Sequence, residues 1–400
     1  MTENLKNYIT LVLINLFNLF PIKKNKIFLF SYYGSQYGCN PKYITEYAMK
    51  SDFKREFDIV WAFNNPSRVN ITGVRKVKTM SLRYFYELCT SKIIITNFRT
   101  TEHFVKRKNQ YYIQTWHSSL RLKQIEKDAE ESLPKNYVKM AKKDSLKCDL
   151  LLSGCDSSTE IFKKAFWYGG EIFEIGTPRN DILFHHNSER SKKIRESLNI
   201  SDDIQVVLYA PTFRKQNDLS VYDIDYKQLI KSLEEKFGSA WICLVKLHPH
   251  LIAKSSQLLL EDKVLDVTSY DDIQELLSIS DLLITDYSSL MFDFAVTNRP
   301  CFLYVPDIID YTQQDRKLYF DILELPFKAA TNNVELNVII HQFNNENYKD
   351  SVKNFLQSVG SFESGKASAL IWERIYRVCF EKEWRKADEK IQSRIYNRGV

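Results

Sequence analysis

The chain has 400 residues, 44% of them hydrophobic, with only 11 Gly and 10 Pro; this excludes collagen-like, low-complexity and disordered classes and suits two cores of somewhat under 200 residues each. A formal charge of +6 and a pI near 8.7 are mildly basic and spread along the chain, which fits anionic substrates or an anionic membrane surface; with no nucleic-acid module pattern, nucleic acid is not expected as a partner. Seven widely separated cysteines without a CxxC pair read as reduced thiols.

In chain order, Tyr8–Phe20 is apolar and followed by Lys23, Lys24 and Lys26. At about 13 residues it is short of the roughly 20 that span a bilayer, so it reads as an interfacial helix with a basic flank or as a helix packed on the first domain. Lys26–Gly34 reads as a buried strand ending in a glycine turn, and Asn40–Met49 as a helix. Strand 57–63, helix 81–90 and strand 92–97 continue the alternation, which implies a parallel, doubly wound sheet. Gln110–Trp116 is a further strand that delivers His117, Ser118 and Ser119 to its carboxyl end, where ligands collect in such folds. Strand 147–153 and helix 157–166 follow, and Gly170–Asp181 carries strand and turn across an expected domain boundary.

The second half repeats the theme. Strands over 204–214, 240–250, 264–268 and 281–289 end in Thr212 and Arg214, in Lys246 and His248, and in Ser288 and Ser289. Each turn alone has a structural explanation; several together at strand carboxyl ends point to a site. Ser288 and Ser289 stand where a strand runs into a helix, so hydroxyls and free amides could hold a phosphate, with Asp293 one turn on to accept from sugar-type hydroxyls. The alternative is that Ser288 caps the helix and Asp293 compensates its dipole. Asp271-Asp272 reads as a helix opening rather than a metal pair. Strand 300–307 and a C-terminal helix over 366–396, expected to pack back on the first domain, complete the chain.

The segments YYGSQYGCNP, QTWHSSLRLKQIEKD, GTPRND, YAPTFR, KLHPH, TDYSSLMFDFAVTNRPCFLY and FESGKAS, in this order, resemble the CDP-glycerol glycerophosphotransferase family of teichoic acid and capsule enzymes. The resemblance covers roughly 26–370 and implies a GT-B architecture, two Rossmann-like doubly wound domains facing a cleft. The expected division is an apolar segment 1–25, an acceptor-side domain 26–175, a donor domain 176–365 and a helical segment 366–400. It implies His117 and His248 as catalytic residues, and Arg179, Thr212, Arg214, Lys246, Ser288, Ser289 and Asp293 as donor contacts. Ser118, Ser119 and Arg121 are expected on the acceptor side. Ser118-Ser119 departs from the family, which usually has Gly-Thr or a similar pair there. The implied reaction moves a polyol phosphate from CDP-glycerol or CDP-ribitol to a lipid-linked acceptor at the cytoplasmic face of the membrane, with peripheral attachment, no cofactor and no protein-held metal. His117 would take the acceptor proton while His248 and Arg179 support the departing CMP. A GT-B glycosyltransferase using a UDP- or GDP-sugar, and an inactive nucleotide-binding assembly subunit, are the alternatives.

Overall fold

The computed structural model describes residues 3–185, 187–214, 224–247, 262–314 and 317–381. The first sheet has seven parallel strands: β1 (Lys23–Phe30), β2 (Asp58–Phe63), β3 (Arg75–Lys78), β4 (Ser91–Thr96), β5 (Tyr111–Gln114), β6 (Leu150–Ser153) and β7 (Glu171–Glu174), in the order β3-β2-β1-β4-β5-β6-β7. The second has β8 (Gln205–Ala210), β9 (Trp241–Val245), β10 (Val264–Asp266), β11 (Leu282–Thr285), β12 (Cys301–Tyr304) and β13 (Lys328–Ala330), in the order β10-β9-β8-β11-β12-β13. Every recorded pairing between these strands is parallel. The strand order reverses between β1 and β4 in one sheet and between β8 and β11 in the other, so each lobe has a crevice at the carboxyl ends of those strands. This is the GT-B architecture that the motif order implied.

The central strands are near-continuous apolar runs because helices cover both faces of each sheet. Ile27, Leu29, Trp61, Ile93, Ile95 and Ile113 lie in one core of the first lobe, which the C-terminal helix Ala367–Phe380 closes through Ile371, Trp372 and Ile375. Val206, Leu208, Leu244, Leu283 and Leu303 lie in a core of the second. The strands β3 and β13 were not anticipated from the sequence. The first is RKVK, a sheet edge with one buried residue, and the second is three residues long; neither carries the apolar run that marks a strand.

The helix α1 (Glu3–Phe17) buries Ile14 against Phe85 and Cys89 of a helix over Leu82–Thr90, while Leu5, Tyr8, Ile9, Val12, Leu16, Leu19 and Phe20 on or just beyond it are exposed. The packed face matches the expectation of a helix docked on the first domain; the other face is apolar and exposed. No helix among the described residues is long and apolar enough to cross a membrane.

Candidate active site

The strand β5 ends at Gln114 in the middle of the first sheet, and the chain turns sharply there. Trp116 takes φ 49, a left-handed conformation that costs a bulky residue free energy and must be held by its surroundings. Asn40 holds it: its side-chain amide donates to the Thr115 carbonyl at 3.1 Å and the Trp116 carbonyl at 3.0 Å. The turn puts His117 between two rings, Phe98 at 5.2 Å and 13° and Trp116 at 4.5 Å and 28°. Its Nδ1 lies 3.3 Å from the Asn97 carbonyl. A carbonyl can only accept, so Nδ1 carries the proton and Nε2 keeps its lone pair. Burial, then the nearby Arg179 and Arg121 charges, push the imidazole pKa down to about 3 against the raising effect of the Asn97 carbonyl. The ring is therefore neutral at physiological pH.

The chain beyond His117 crosses to the second lobe. Leu120 and Leu122 are 2% and 0% exposed in that lobe's core, and the Leu122 amide donates to Ser289 Oγ at 3.2 Å. The Ser119 amide and hydroxyl approach Asp293 Oδ1 at 3.4 and 3.3 Å. Gly154 makes this path possible, because a Cβ there would lie 2.6 Å from Ser119 Cα. Asp293 is thus the hub of the seam. It is 0% exposed, pairs with the Arg179 guanidinium, and receives Asn180 Nδ2 at 3.2 Å and Gln274 Nε2 at 3.4 Å. Asp293 was expected to accept from sugar-type hydroxyls; in the structure its oxygens receive protein donors. Arg179 Nη1 lies 3.7 Å from Cys39 Sγ, and its Nε has no hydrogen-bond partner among the described residues. Arg121 is 3% exposed, donates to the Ser118 carbonyl at 3.1 Å, lies over Phe162, and leaves Nε and Nη1 without partners among the described residues. Two guanidiniums with spare donors therefore act on His117, and Asp293 holds one of them.

In the second lobe, Thr212 follows β8 and Asp286 follows β11, on the two sides of the switch-point crevice. The Thr212 amide donates to Asp286 Oδ1 at 2.9 Å. Arg214 pairs with Asp286 at 2.9 Å and Asp307 at 2.7 Å, and it lies over Tyr287 and Tyr311. Every nitrogen of Arg214 already has a partner. Lys246 is similar: its ammonium donates to the Tyr270 carbonyl at 2.6 Å and the Thr268 carbonyl at 3.1 Å, and burial lowers its pKa to about 8 despite the raising charges of Asp271 and Asp272. These two cations, expected as donor contacts, fix loops at the crevice edge through these bonds. Ser288 Oγ accepts from the Leu290 amide at 3.2 Å, while the N-cap position is Ser289, whose side chain makes no capping bond, and both serines stay partly exposed. Asp272 caps its helix and accepts from Lys42 at 2.6 Å across the lobes. His248 lies outside the described residues.

Sequence reasoning missed Asn40, Asn97, Asn180, Gln274, Asp286 and Asp307. Asn180 and Asp286 stand inside the quoted motifs GTPRND and TDYSS, so the motifs carried a signal that charge and hydroxyl chemistry alone did not single out. Asn40 stands inside the quoted motif YYGSQYGCNP but was given no role beyond a helix start.

Residues 12–377 match the family model described as CDP-Glycerol:Poly(glycerophosphate) glycerophosphotransferase. A teichoic acid poly(glycerol phosphate) polymerase of Bacillus spizizenii is 30% identical over 91% of this chain and 95% of its own length. One from Staphylococcus epidermidis is 34% identical over 90% of this chain, which spans only 52% of that relative. The solved wall teichoic acid polymerase TagF superposes with a TM-score of 0.83 at 31% identity, covering 95% of this chain and 96% of that one; another of its forms is a histidine variant soaked with CDPG. With a family model spanning nearly the whole chain and a solved relative sharing both lobes, the chain belongs to the CDP-glycerol:poly(glycerophosphate) glycerophosphotransferase family.

Proposed function

We propose that the protein transfers a polyol phosphate, glycerol 3-phosphate before ribitol phosphate, from its CDP-activated form to a hydroxyl of a lipid-linked teichoic-acid-type acceptor. The observation that carries this reading is the neutral His117, its Nδ1 proton committed to the Asn97 carbonyl and its Nε2 lone pair available beside two incompletely partnered guanidiniums. The acceptor hydroxyl oxygen attacks the phosphorus that bears the polyol; that oxygen–phosphorus bond forms as the pyrophosphate bond breaks and CMP leaves with the bond's electron pair. His117 Nε2 takes the hydroxyl proton, and the imidazolium that results is favoured by the phosphate charge gathered beside it. Arg179 and Arg121 hold the transferring phosphoryl oxygens, while Asp293 orients Arg179 without touching the donor. Thr212, Ser288 and Ser289 border the donor crevice, with Arg214 and Lys246 as positioning residues. His248, expected by motif, is proposed at the leaving phosphate.

The exposed apolar face of α1 and the exposed Lys23 and Lys24 after it support peripheral attachment to an anionic membrane surface. Incubating the protein with CDP-glycerol and CDP-ribitol separately, each with a lipid-linked disaccharide acceptor, tests the reading. CMP release and acceptor extension with CDP-glycerol are expected. Sugar transfer from a UDP- or GDP-sugar, with neither CDP donor consumed, would replace it by glycosyl transfer.

A further inference from the structure

A cavity of about 430 Å³ opens on the first lobe between the loop after β4 and the helix Lys135–Ser145. Its lining is strongly one-sided in charge: Lys106, Arg107, Lys108, Lys143 and Lys147 against Glu102. Some of these cations are engaged. Lys106 pairs with Asp149 at 2.8 Å, and Lys147 donates to the Thr101 carbonyl at 2.9 Å and lies over the buried Phe104 ring. Lys108 and Lys143 are exposed and make no hydrogen bond or ion pair among the described residues. The same cavity has apolar lining on its open side, with Leu146 87% exposed and Val105 40% exposed. Arg107 ties it to the end of α1, donating to the Phe20 carbonyl at 2.8 Å, so the cavity begins where the apolar stripe of α1 ends.

We propose that this cavity is a headgroup site for an anionic phospholipid, with Lys108 and Lys143 on the phosphate and Leu146 and Val105 against the acyl region. This rests on the reading of α1 as a membrane-surface helix and adds to it a discrete lipid contact that fixes how the lobe sits. Cations alone would suit any polyanion, including a polyol-phosphate chain. The exposed leucine and valine beside them, in a cavity that Arg107 links to the residues following an exposed apolar helix face, fit a molecule that is anionic at one end and apolar at the other. The site lies apart from the residues given catalytic or donor roles, so its loss leaves transfer to a water-soluble acceptor intact.

The test is sedimentation of the full chain with phosphatidylglycerol vesicles and with phosphatidylcholine vesicles. In the double variant Lys108→Gln, Lys143→Gln, both changes fall on exposed side chains, and phosphatidylglycerol binding is expected to fall roughly thirtyfold, the worth of two surface cations at about 1 kcal/mol each. Binding to phosphatidylcholine, carried by α1, should stay. A variant with Tyr8, Leu16 and Leu19 each changed to Asn should lose both. If the lysine variant binds phosphatidylglycerol like wild type while the α1 variant does not, the headgroup site is wrong and α1 alone docks the protein. If wild type binds neither vesicle, the membrane reading fails and this site with it. Release of wild type from phosphatidylglycerol by soluble poly(glycerol phosphate) at concentrations that leave the lysine variant unaffected would reassign the cavity to the polymer and overturn the lipid proposal.

Discussion

His117 is a titratable group held in one protonation state by its surroundings. Its folded-state pKa of about 3 lies below the ordinary 6.5, so between those values the unfolded chain binds more protons than the folded one. Stability from this group is then fully present above pH 6.5 and is lost as pH falls toward 3. At pH 5 the loss is about 2 kcal/mol relative to pH 7, and chemical denaturation of His117→Gln should lack that part of the acid sensitivity. For Asp293 the geometry predicts a structural cost. Asp293→Asn leaves the Arg179 guanidinium buried without its counter-charge, so urea denaturation should show a loss of about 3 kcal/mol, as for a broken buried pair. Unchanged stability would mean that the carboxylate is not the hub described here. The identities of His117 and Asp293 were readable from motif order, but the burial of Asp293 was not. A carboxylate one turn into a helix looks the same in sequence whether it faces solvent or a guanidinium from another lobe.

At the scale of elements, the seam is made by four pieces distant in sequence: the turn after β5, the GTPRND turn, the helix Leu290–Ala295 that carries Asp293, and the segment before the C-terminal helix. Glu363 in the last accepts from the Thr177 amide at 3.1 Å and Asn180 Nδ2 at 3.2 Å. Burial, with the Asp293 and Asp181 charges, outweighs the Thr177 bonds and raises its pKa to about 8. Here the folded state binds the extra proton between the ordinary 4.5 and about 8, so Glu363 weakens the fold as pH rises through that window. Glu363→Gln should gain melting temperature relative to wild type at pH 8 and much less at pH 5; an equal shift at both would show that Glu363 is ionised throughout. The alternating strands and helices that position these pieces were legible because buried parallel strands are long apolar runs. The edge strands β3 and β13 were not, because an edge needs few apolar residues and a three-residue strand has no measurable period.

Across the whole molecule, two sheets with the same strand-order reversal place a crevice in each lobe, and the chain after β5 leaves one core to finish in the other. His117 sits at that crossing, so an acceptor bound in the first lobe and a donor bound in the second would meet beside it. The sequence showed the two-lobe plan through its repeated strand–helix rhythm. It did not show that Arg214 and Lys246 are committed to carboxylates and carbonyls, since a basic residue in a loop carries no mark of its partner. The central claim is that His117 acts on the acceptor hydroxyl and not on donor binding. The direct measurement is CDP-glycerol titration by calorimetry beside CMP release with acceptor, for wild type and His117→Ala. The variant is expected to keep donor affinity within about threefold and to lose at least about 10²-fold in turnover. Turnover above about a tenth of wild type with donor affinity intact would contradict the account.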